Sequence, residues 1–104
     1  MANYRDSFRH GTAQTIAYAP AGGAPAQSAP FGPQTYWIRV ATVGAVSATL
    51  DGVRIAVGEN PTANAASTLL PLNWVEIIQV TPGQKLAVIG NNAGTGSVTV
   101  TELM

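Results

Sequence analysis

The side chains able to do chemistry in this 104-residue chain are few: one histidine, five carboxylates and no cysteine. His10 follows Asp6 and Ser7 in MANYRDSFRHG, which places the three residue types of a hydrolytic triad side by side. A working triad is assembled from distant parts of a rigid fold, and a short polar tip cannot hold one. That tip reads as solvated and weakly cationic through Arg5, Arg9 and His10. A metal site needs several converging ligands, whereas Asp6, Asp51, Glu59, Glu76 and Glu102 are scattered without paired spacing. The Gly90 to Gly96 stretch, GNNAGTG, is glycine-rich like a phosphate cradle. It lacks the Lys and Ser/Thr of a P-loop and opens no helix, so it reads as a hairpin loop. Asn60-Pro61-Thr62 has the outline of a glycosylation acceptor, but the proline excludes it. These residues imply no catalytic, cofactor or metal site, and hence no enzyme.

Binding is the better use of the remaining candidates, Trp37 and Trp74. In QTYWIRVATV, Tyr36, Ile38 and Val40 point one way, and Trp37, Arg39 and Ala41 the other. If the first set fills the core, Trp37 faces outward beside Arg39. WVEIIQV puts Trp74, Ile78 and Val80 on one face and Val75 and Ile77 on the other. A strand apolar on both faces is normally covered on both, and one thin sandwich has a single interior. An outer face carrying such residues is expected to contact another subunit, which makes Trp37, Arg39, Trp74 and Ile78 candidate interface residues. The plainer alternative is that both tryptophans are core.

The elements positioning these residues read as β from Gln34 onward. AVSATL and VRIAV alternate about Asp51-Gly52, a two-residue hairpin signal. Gly58 to Ser67 reads as an irregular loop. In LLPLNWVEIIQV the strand is placed from Trp74 to Val80, with Pro71 holding the lead-in extended. Thr81-Pro82-Gly83-Gln84 has the type II turn pattern. KLAVIG uses Leu86 and Val88, and SVTVTEL puts Val98 and Val100 inward and Thr99 and Thr101 outward. Short strands separated by regular turn signals, with no helix, predict an all-β fold: a small antiparallel β-sandwich of jelly-roll type, with a small open barrel as the alternative. Strand order does not follow from these signals.

Before Gln34 the composition differs. Residues 12–18 could form a short strand with Ile16 and Tyr18 on one face. Residues 19–33, APAGGAPAQSAPFGP, have prolines that deny helix interior and central strand. Residues 1–33 are therefore expected to be an extended arm, separate from a domain over 34–104. It is either a disordered tail or a segment that orders across another subunit, with Tyr4, Phe8 and Phe31 as anchors. Truncating 1–30 is then expected to leave the sandwich folded.

Composition supports a building block. Charged residues make up 10% of the chain and cancel to zero, against about 25% in an ordinary soluble domain. A neutral surface is poorly defended against association, and edge strands usually carry Lys, Pro or inward charges that are scarce here. Zero net charge argues against nucleic acid as a partner. The polar start shows no secretory signal, and no apolar run approaches the roughly 18 residues of a membrane span.

Three stretches, FGPQTYWIRVATVGAVSATLDG, LPLNWVEIIQVTPGQKLAVIG and GTGSVTVTELM, together resemble small β-sandwich virion proteins of tailed bacteriophages, the capsid decoration or cement type. The similarity covers about residues 31–104, and its most suggestive part is TPGQKLAVIG followed by a Gly-rich turn and a VTVTEL-like strand. The resemblance implies a non-enzymatic homodimer or homotrimer without cofactor. Made in the host cytoplasm, it would sit on the capsid exterior and bridge neighbouring capsomers of the major capsid protein. A head–tail or tail component, or a carbohydrate-binding module stacking Trp37 or Trp74 on sugar rings, are the other readings.

Overall fold

The computed structural model describes residues 9–42, 52–92 and 96–103. Among these described residues, alternating apolar and polar positions, broken by Gly, Pro and Asn, yield eight strands. They are β1 (His10–Tyr18), β2 (Ala26–Gln27), β3 (Trp37–Thr42), β4 (Gly52–Gly58), β5 (Thr68–Pro71), β6 (Val75–Gln79), β7 (Lys85–Gly90) and β8 (Gly96–Leu103). No helix occurs among the described residues. The strands form two four-stranded sheets, ordered β1-β8-β3-β6 and β2-β7-β4-β5, with every pairing antiparallel.

One apolar cluster joins the sheets. Ile16, Ile38, Val40, Val98 and Val100 from the first meet Val53, Ile55, Leu70, Leu86 and Val88 from the second. Each such side chain stabilises the fold by roughly 1.5–3 kcal/mol when fully buried. Two antiparallel sheets sharing one core are compatible with a small β-sandwich. The inward positions of β3, β7 and β8 are those the alternation predicts. The 81–84 turn is also as expected: Gln84 N–H donates to Thr81 C=O at 3.1 Å, and Gly83 takes φ 86°, which type II geometry demands at its third place.

Three expectations are corrected. First, the described part of the stretch expected as a separate arm lies within the two-sheet body. β1 pairs with β8, and Ile16, Tyr18 and Phe31 are in the core. Phe31 N–H donates to Gln84 C=O at 2.8 Å, and Ser28 N–H to Leu86 C=O at 2.8 Å. The prolines forbid regular pairing, not burial: the chain runs along the second sheet, making isolated main-chain bonds where it can.

Second, LLPLNWVEIIQV contains two strands rather than one. β5 belongs to the second sheet and β6 to the first. Asn73, with φ 57°, turns the chain between them in a left-handed conformation that Asn tolerates. Thr42 pins this crossing, its hydroxyl donating to Pro71 C=O at 2.7 Å and accepting from Trp74 N–H at 3.0 Å.

Third, Tyr36, expected inward with Ile38, precedes β3 and is 54% exposed. The turn residue Asp51 of the expected hairpin, and residues 43–50 before it, lie outside the described residues. Both edges of β4 over Val53–Ile55 are occupied, by β5 and by β7.

β7 is buried on both faces, and the chain supplies the second cover itself. Ala63 from the 59–67 loop packs on Ala87 and Ile89. Arg54 clamps this region, donating to Ser67 C=O and to Asn91 Oδ1, each at 3.0 Å.

Candidate interaction surface

Among the described residues the scarce ionisable groups do not converge. His10 is exposed at the start of β1, and Asp6 and Ser7 lie outside the described residues. Among the described residues no three His, Cys, Asp or Glu side chains gather as metal ligands. Glu59 is exposed in a loop. Glu76 and Glu102 lie on strands separated by β3, opposite Val40 and Ile38 respectively.

Glu102 is nonetheless informative, because it is buried. Its Oε1 accepts from Gly32 N–H at 3.0 Å and from the Thr35 hydroxyl. The carboxylate thus fastens the 32–35 turn to the end of β8, a structural use that satisfies the group where burial would otherwise be costly. Parity could have found it: Val98, Val100 and Glu102 share one face of an alternating strand.

The uncovered apolar surface gathers around β6. On the outer face of the first sheet, β3 and β6 are in register, with Arg39 beside Ile77, Ala41 beside Val75 and Trp37 beside Gln79. Trp37, Val75 and Ile77 are all exposed there. Beyond Leu103, which stands opposite Trp37 and is buried, Ala13, Thr15 and Ala17 on β1 stand opposite Thr101, Thr99 and Ser97 on β8. Arg39 is the one charged side chain among the described outward positions of its four strands.

Around the edge of the sandwich, a groove of about 450 Å³ opens between β5 and β6, with Ile55, Val57, Leu70 and Ile78 as apolar lining and Leu69, Trp74 and Glu76 at its border. Trp74 is 51% exposed, and its indole N–H donates to Glu76 Oε1 at 3.0 Å. Indole and carboxylate form a polar rim on an otherwise greasy slot.

The candidate interface residues separate accordingly. Trp37, Arg39 and Trp74 lie on this surface. Phe31 does not: it is a core residue, and it cannot anchor to a neighbour while it fills the space between the sheets. Ile78 is opposite Ile38 and packs partly against the core while lining the groove beside Trp74, so the outward apolar residues of β6 are Val75 and Ile77. Tyr4 and Phe8 lie outside the described residues. Sequence reasoning did not single out Leu69, because β5 was taken as a lead-in.

Comparison with protein-family models, with curated proteins and with solved structures finds no match to this chain.

Proposed function

We propose that this chain is a structural, non-enzymatic protein that works by binding neighbours in a larger assembly. The assembly it fits best is a tailed-phage capsid, decorated on its outer surface by bridging major capsid proteins. The observation carrying this reading is the set of exposed apolar side chains, Trp37, Val75, Ile77, Trp74 and Leu69, on and around a sheet edge that is unpaired among the described residues. Contiguous exposed patches of this kind mark interaction sites. The strand order supports the finer reading of the fold as a jelly roll: two four-stranded sheets, an architecture that recurs in capsid and lectin domains. A repeated shell tolerates weak individual contacts because many act together.

The direct test is co-sedimentation of the purified chain with expanded capsid shells of the phage whose genome encodes it. Saturable binding at fixed stoichiometry is expected. Trp37→Ala is expected to weaken it by about 2 kcal/mol, roughly thirty-fold in affinity, as for a central aromatic anchor. Shells that leave the chain in the supernatant at every concentration refute the assignment.

The rim of Trp74 and Glu76 favours one second reading, carbohydrate binding, in which the ring stacks on a sugar and the carboxylate accepts from a hydroxyl. A saturable change in tryptophan fluorescence with a polysaccharide, lost in Trp74→Ala, would establish it.

A further inference from the structure

We propose that the edge of β6, unpaired among the described residues, pairs with β6 of a second copy about a two-fold axis at Ile77, joining two first sheets into one continuous eight-stranded sheet. This rests on the assembly reading in one respect: it names one of the neighbours.

The hydrogen-bond phase identifies which groups are available. Val80 N–H donates to Tyr36 C=O at 2.8 Å, and Thr42 N–H to Trp74 C=O at 2.9 Å. In an antiparallel ladder residues alternate between facing the partner strand and facing away. The main-chain groups of Glu76 and Ile78 therefore turn toward β3, and those of Val75, Ile77 and Gln79 turn outward. β6 ends its sheet, so three N–H and three C=O groups form a ready template.

The opposite side of the sandwich is closed. β1 has a register break between His10 and Ala13. The Gln14 side-chain amide accepts from Ala29 N–H at 2.8 Å and donates to Ala29 C=O at 3.4 Å, tying the two sheets' edges together. β2, beside it, is two residues long. These are the devices by which proteins blunt an edge. β6 has no proline and no lysine, and its single charge, Glu76, lies on the groove side.

A second copy fits this edge. Around a two-fold, paired residues must share a face, so the axis falls on a residue rather than between two. Centred on Ile77, the pairs are Val75 with Gln79, Ile77 with Ile77 and Gln79 with Val75, and all the outward groups find partners. Centring on Glu76 leaves Gln79 opposite Asn73 and sets two carboxylates face to face. Centring on Ile78 leaves Val75 opposite Thr81. In the Ile77 register the two Arg39 side chains stand three strand spacings apart, about 14 Å, beyond the roughly 8–10 Å over which salt leaves charges coupled.

Pairing also covers apolar surface: Val75 and Ile77 are exposed beside this edge, and the Ile77 side chains of the two copies meet at the axis.

The chain has no cysteine, so Ile77→Cys installs a single reporter on the axis. Residues exchanging both bonds across an antiparallel pair have Cα atoms about 5.5 Å apart, within disulfide range. Mild oxidation is expected to convert most of the Cys-bearing chain to a covalent dimer, while Thr15→Cys on the blunted edge stays monomeric. Light scattering on the unmodified chain is expected to give two-copy mass at about 100 µM, as a micromolar Kd requires. Ile77→Lys is expected to give one-copy mass with unchanged circular dichroism. One-copy mass for the unmodified chain, or linkage at position 77 no faster than at 15, overturns the proposal, as does mass growing past two copies through head-to-tail addition. A monomer that still binds shells defeats this inference and leaves the proposed function standing. A dimer that ignores shells does the reverse.

Discussion

Replacing Phe31 with Ala removes a ring that is 3% exposed and belongs to the cluster joining the two sheets. Burying about 200 Å² of aromatic surface at roughly 25 cal/mol per Å² contributes about 5 kcal/mol at most. A compact unfolded chain lowers that by some 10–40%, which leaves about 3–4 kcal/mol, in line with measured Phe→Ala costs. The main-chain bonds of residue 31, to Gln84 and from Gly83, survive the substitution, so the loss is specific to the ring. Against a typical total of about 5–15 kcal/mol, it is large enough to read without ambiguity. Urea unfolding is the assay: the midpoint should fall while the slope m stays constant. Heating should show a melting temperature about 12–20 °C lower. Were residues 1–33 an arm apart from the folded body, the same change would cost nothing in the isolated chain. A loss under about 0.5 kcal/mol, the range of ordinary surface substitutions, would refute the placement of Phe31. By the same logic, deleting residues 1–30 removes β1 with Ile16 and Tyr18, and it should abolish cooperative unfolding rather than leave a folded sandwich.

Two further substitutions probe the positions that hold the sheets. A Cβ on Gly52 would sit 2.7 Å from the Leu70 carbonyl oxygen, whereas one on Gly58 meets only the Pro61 Cβ at 3.8 Å. Thermal melting should therefore show Gly52→Ala destabilised by about 1–3 kcal/mol, with Gly58→Ala close to unchanged. Glu102→Ala strips the acceptor from Gly32 N–H and the Thr35 hydroxyl. It should cost about 1–3 kcal/mol and speed amide hydrogen exchange at Gly32, while Glu102→Gln, which keeps one carbonyl oxygen, should lose less.

Much of the fold was legible where alternation ran uninterrupted. Ile38 and Val40, Leu86 and Val88, and Val98 and Val100 announce their inward face by parity, and Pro82-Gly83 announces its turn by backbone chemistry. The failures have a common physical cause. Thr68–Gln79 looks like one apolar run because both strands are apolar. Only the sheet each half joins, set by the Asn73 turn and the Thr42 clamp, divides them. Phe31 carries no local periodicity, being one aromatic among prolines and alanines, and its burial depends on a gap between sheets that nearby residues do not define. Of the interface candidates, Trp37 and Arg39 followed from the strand's phase. Which face of β6 turns outward was not legible, because residues apolar on both faces give parity nothing to choose between; pairing with Ile38 turns Ile78 toward the core and the groove.

The amino-acid sequence by itself determined that this chain is all-β and sparsely charged, since those properties rest on residue type and nearest-neighbour alternation. Which strands became edges, which edge was closed by Gln14 and which left open along β6, and which apolar faces the chain covered with its own 59–67 loop were decided only by the tertiary structure. Those outcomes depend on contacts between residues far apart in the chain, and local periodicity carries no record of them.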